Sequence, residues 1–199
     1  AARSNSWSDD TLSIDTMAGR SYWTTSAMAM GAPEYQSAKD QISADYKANK
    51  QKCDALSGNA KDICQKEAKG TENVAKADLE AQYKPSDKTA YKAREARADA
   101  DYAIAKEKCD DLSGNAKDVW VKDAKAAHVT AKENAKVAKA AAKPGETATE
   151  KAAGVAEARK DAAAEKNEAN YKAAKERCDA LAGDLKSKCV DDAKRMYGQ

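Results

Sequence analysis

The sequence predicts an all-α protein: three disulfide-stapled antiparallel helical hairpins forming an elongated bundle or coiled-coil-like array, preceded by an irregular N-terminal arm. Three observations predict this. The 199-residue chain has 46 alanines, no Phe, and only 21 Leu, Ile, Val and Met together. Its 35 basic residues nearly balance its 33 acidic ones. One unit recurs three times: ADYKANKQKCDALSGNAKDICQKEAK from Ala44, ADYAIAKEKCDDLSGNAKDVWVKDAK from Ala100 and ANYKAAKERCDALAGDLKSKCVDDAK from Ala169.

Alanine has the highest helix propensity, and Lys, Glu and Arg follow closely. A chain this poor in large apolar residues is disordered when its net charge is also large, but here the net charge is only +2. Self-similarity at this scale marks a repeated supersecondary unit that buries its apolar face against its neighbours.

Residues 1–33 form the arm, rich in Ser, Thr and Met. It reads either as a flexible tail or as a segment docking through Trp7, Tyr22 and Trp23, because exposed aromatics mark interaction surfaces. Hairpin 1 spans 34–84, hairpin 2 spans 85–143 and hairpin 3 spans 144–199, with helices at 34–56, 60–83, 87–112, 116–143, 147–181 and 185–197. In each unit Gly58, Gly114 or Gly183 supplies the left-handed residue that closes a helix. Asn59, Asn115 or Asp184 then stands where a cap opens the next one. Pro85 and Pro144 break the chain between hairpins, and Ser86 is placed as a cap.

Tyr35, Ile42, Asn49 and Leu56 recur every seven residues, interleaved with Tyr46 and Cys53, which is a 3.5-residue seam. With alanine at many seam positions the helices approach closely and bury little area each. Gly70 and Gly154 inside helices each cost about 1 kcal/mol relative to alanine. Such hairpins need staples.

Cys53 lies five residues before Gly58 and Cys64 five after Asn59, so they stand at similar heights on antiparallel helices. Helices packed about 8–10 Å apart, each with a Cα radius near 2.3 Å, bring facing Cα atoms within disulfide range. Cys53 therefore pairs with Cys64, and Cys178 with Cys189. The C-x10-C spacing matches no CxxC redox or zinc pattern. Disulfides place the protein in an oxidising compartment, and the Ala-Ala start suits a form cleaved after a small-residue site. In the middle unit Trp120, a further candidate docking aromatic, takes the second cysteine's place, leaving Cys109 either as a buried thiol beside the indole or as an intermolecular bridge.

No catalytic residue, metal site or cofactor is expected. His128 lies on a helix about 13 Å in height from Cys109, too far for a dyad, and reads as a solvated residue. Tyr46, Tyr102 and Tyr171 read as core, or as a groove for a hydrophobic ligand. Charges of both signs alternate at helical spacing, giving no basic stripe for nucleic acid, and no apolar run is long enough to span a membrane.

The units just quoted, with their C-D-x-L-[SA]-G-[ND] signature, resemble TolA-like cell envelope biogenesis proteins of Gram-negative bacteria over residues 34–197. The resemblance implies a periplasmic or secreted protein. The expected function is a non-enzymatic structural or interaction protein of the cell envelope, a spacer or scaffold, whose partners are other proteins or itself. Its alternatives are a self-assembling subunit of a filament or oligomer, and a periplasmic binding protein for a hydrophobic ligand.

Overall fold

The computed structural model describes residues 30–199. They form six helices: α1 (Ala32–Lys52), α2 (Gly58–Tyr83), α3 (Asp87–Lys108), α4 (Gly114–Ala142), α5 (Ala148–Cys178) and α6 (Gly183–Tyr197), with no strand among the described residues. Trp7, Tyr22 and Trp23 lie outside the described residues.

The turns between hairpins follow from their caps. Ser86 caps α3: its hydroxyl accepts from the Thr89 amide at 3.0 Å, and the Thr89 hydroxyl accepts from the Ser86 amide at 3.0 Å. Thr147 and Glu150 form the same reciprocal box at the start of α5, satisfying amides that the first helical turn otherwise leaves unpaired.

The turns within hairpins differ from expectation. Gly58, Gly114 and Gly183 are left-handed, at φ +55°, +57° and +55°, but each opens the second helix instead of closing the first. The first helix of hairpin 1 tightens into a 3-10 turn at Cys53–Ala55, and Leu56 and Ser57 are extended. Axes about 8–10 Å apart have to be bridged, and two extended residues span about 7 Å. The glycine then turns the chain into the second helix. Asn59, Asn115 and Asp184 consequently fall inside that helix, and no side chain caps it at Ser57, Ser113 or Ala182.

Each helix packs substantially only on its neighbours in sequence: α1 on α2, α2 on α3, α3 on α4, α4 on α5 and α5 on α6. The described residues therefore form a single row of antiparallel helices, whose contacts resemble those of a repeat array. The core is thin and made mainly of small residues, among them Ala98, Ala135, Ala162, Ala173, Cys53 and Cys178, with Leu79 its one large aliphatic member.

At Gly70 the helices approach closely, since an added Cβ would stand 3.0 Å from the Ala100 Cβ. The seam expected on α1 is only half-buried. No residue of α1 is buried, and Leu56 is exposed, because an edge helix has a neighbour on one side only. Two hairpins are stapled, not three.

Candidate interaction surface

The cysteines close the outer hairpins. Cys53 bonds Cys64 across a Cα separation of 5.6 Å, and Cys178 bonds Cys189 across 5.7 Å. In the middle hairpin the Trp120 indole Nε1 donates to the Ala105 carbonyl at 2.7 Å, so the indole ties α4 back to α3 where a disulfide stands elsewhere. Cys109 is free and 3% exposed, and its thiol donates to the Lys106 carbonyl. An intermolecular bridge from Cys109 would require this turn to open.

His128 is not solvated: its side chain is 10% exposed. It stacks on Tyr102 at 4.6 Å between centroids, and its Nε2 lies 2.6 Å from an Asp99 carboxylate oxygen. Its Nδ1 is buried and has no partner among the described residues. Helix register brings these groups together from α3 and α4, and they lie far apart in sequence.

Tyr46 and Tyr102 do not line a common groove. Lys69 sits 5.2 Å over the Tyr46 ring, and Lys106 and Lys125 lie over Tyr102, in cation–π geometry. Tyr171 is half-buried on α5. Buried Glu72 accepts from Lys69 at 2.8 Å and from Lys76 at 2.6 Å. These bonds hold its carboxyl below the usual carboxylate range.

Between hairpins, polar pairs recur at equivalent positions and form two rungs. In the lower rung, near the cysteines, Lys108 pairs with Glu67 at 3.6 Å and Arg177 pairs with Asp123. In the upper rung Arg97 pairs with Asp78 at 2.6 Å and Lys166 donates to Asn134 at 2.6 Å. Each such pair contributes little alone. Their repetition fixes the register of one hairpin on the next. Asn115 adds a bond from its side-chain amide to the Glu176 carbonyl at 3.1 Å.

The row ends in two open edges. Beside α6 lies a groove of about 460 Å³ lined by Ala174, Leu185, Cys189, Ala193, Met196 and Tyr197 among others. Leu185 is 68% exposed and Met196 73%. Both stand where the other hairpins have small residues, Leu185 in place of Ala60 and Ala116, Met196 in place of Thr71 and Ala127. That substitution is legible in the aligned repeats. At the other edge α1 exposes Gln41, Ala44, Asp45 and Ala48.

Fold and surface together define a disulfide-stapled helical-hairpin array whose edges have no partner among the described residues. No family model, curated protein or solved structure matches the chain.

Proposed function

We propose that the protein is a non-enzymatic spacer or interaction scaffold that works outside the cytoplasm, in the periplasm or secreted, and acts through the edges of its helix row. The observation that carries this reading is the row itself. Among the described residues, sequential packing uses both sides of α2 to α5 and leaves α1 and α6 each with one side uncovered. Leu185 and Met196 on α6 then give that side the apolar character of a docking surface. The two disulfides support an oxidising location, in keeping with the TolA-like resemblance of the repeats. No helix among the described residues is long and apolar enough to cross a membrane.

A second reading, a hydrophobic-ligand binder, draws on the same groove beside α6. A photo-crosslinking side chain at Met196, compared with one at exposed Lys160, separates them in cells. Protein adducts from position 196 and none from 160 support the scaffold. No protein adduct, together with a small molecule co-purifying in native mass spectrometry, supports the binder.

A further inference from the structure

We infer that the two open edges are halves of one interface, so that α6 of one copy receives α1 of the next and the hairpin row continues from copy to copy. The inference rests on the scaffold reading and adds the partner, a second copy of this chain.

The argument comes from what the internal interfaces repeat. In the lower rung a carboxylate on the second helix of a hairpin meets a cation at the end of the next hairpin's first helix, as in Glu67 with Lys108 and Asp123 with Arg177. The equivalent carboxylate on α6 is Asp192, and the equivalent cation on α1 is Lys52. Among the described residues neither has a cross-hairpin partner. Asp192 is held by Arg195 within its own helix, and among the described residues Lys52 donates to Asn49 at 3.1 Å.

In the upper rung, uncharged Gln41 replaces Arg97 and Lys166 on α1, so this edge carries no upper-rung cation.

Charges around the lower rung have changed in step. Lys66 lies 3.7 Å from Glu107, and Asn115 bonds the backbone of Glu176. On α6 the residues equivalent to Lys66 and Asn115 are Asp191 and Asp184, which a facing glutamate would repel. On α1 the position of Glu107 and Glu176 is Gln51, which removes that repulsion and offers an amide donor. Bulk is accommodated as well, since the α1 position equivalent to Ile104 and Ala173 is small Ala48, which leaves room for Met196. Joining two different patches of the same chain is a heterologous contact, and one that does not close yields an open filament.

The test uses the oxidised full chain, with sedimentation velocity across a concentration series, negative-stain microscopy, and hydrogen exchange of α6. The expected result is concentration-dependent linear assembly, with α6 protection rising as assembly proceeds. Lys52→Asp alone and Asp192→Lys alone should each weaken association by roughly tenfold or more, since like charges then meet. An equimolar mixture of these two variants should assemble again, because every α6 then finds an α1 of opposite charge. Lys52 is exposed and Asp192 half-buried, and circular dichroism checks that the variants keep their helices.

A chain that stays monomeric at every concentration overturns the inference, as do single variants that assemble like the wild type or a mixture that fails to recover. Protection of α6 already present in the dilute monomer also overturns it and assigns the face to residues 1–29 of the same chain. Crosslinks from Met196 to a different protein, with no self-assembly, overturn this inference while leaving the scaffold reading standing.

Discussion

The Trp120 indole donates to the Ala105 carbonyl at 2.7 Å in the one hairpin that lacks a disulfide. The indole, 42% exposed, replaces a covalent tie with this hydrogen bond across to α3. Trp120→Ala should therefore destabilise the protein by on the order of 1–3 kcal/mol in urea unfolding. Trp120→Cys should instead form a third bridge with Cys109, since the equivalent pairs stand 5.6 and 5.7 Å apart at Cα. Thiol titration checks this: the Cys109 reactivity seen in the unfolded wild type should vanish in the oxidised variant.

Reduction should act unevenly along the row. Each disulfide closes a short loop worth on the order of 3 kcal/mol in the chain-entropy picture. Cys53→Ser/Cys64→Ser should therefore loosen α1 and the start of α2, and Cys178→Ser/Cys189→Ser should loosen α6. Hydrogen exchange should show α3 and α4 nearly unchanged in both variants, because each interface is local. Loss of protection throughout the chain would mean that the row melts as a single unit.

Gly70 and Gly154 should respond oppositely to alanine. Nothing lies within 4 Å of a Cβ built on Gly154, so Gly154→Ala should stabilise by about 1 kcal/mol through helix propensity. At Gly70 the added atom meets the Ala100 Cβ at 3.0 Å, which should offset that gain. Gly70→Leu should destabilise by on the order of 1–3 kcal/mol, measured by thermal unfolding.

Stability should fall at both ends of the pH scale for separate reasons. Hydrogen bonds from Lys69 and Lys76 lower the Glu72 pKa in the folded chain. The stability they supply is present above the ordinary carboxylate value and is lost as pH falls through the depressed one. Glu72→Gln should flatten that acid limb. Burial, then the bond to Glu95, raises Tyr91 from its ordinary 10.0 to about 12. Its contribution is complete below pH 10.0 and is lost as pH rises towards about 12. Tyr91→Phe should flatten the alkaline limb, as read from urea midpoints at each pH.

The repeats, the six helices and the paired cysteines were legible because each depends on local spacing. The placement of Gly58 was not. It depends on the distance between two helix axes, which extended Leu56 and Ser57 must cross. His128 was misread as solvated because its contacts with Tyr102 and Asp99 arise from the register of α4 on α3. A row and a closed bundle place the same alanines on helix faces, so sequence pattern alone does not separate them. Asp192, Leu185 and Met196 were within reach of sequence reasoning, through comparison of the third repeat with the first two.

Packing only between sequence neighbours also bears on how the chain reaches its native state. Contacts between adjacent helices close short loops, so little entropy is spent before the first stabilising interaction forms. Folding can begin at any hairpin and spread one helix at a time in either direction. A chain emerging end first from a narrow passage could complete hairpin 1 and lock Cys53 to Cys64 before hairpin 3 has appeared, with no need to wait for a distant segment.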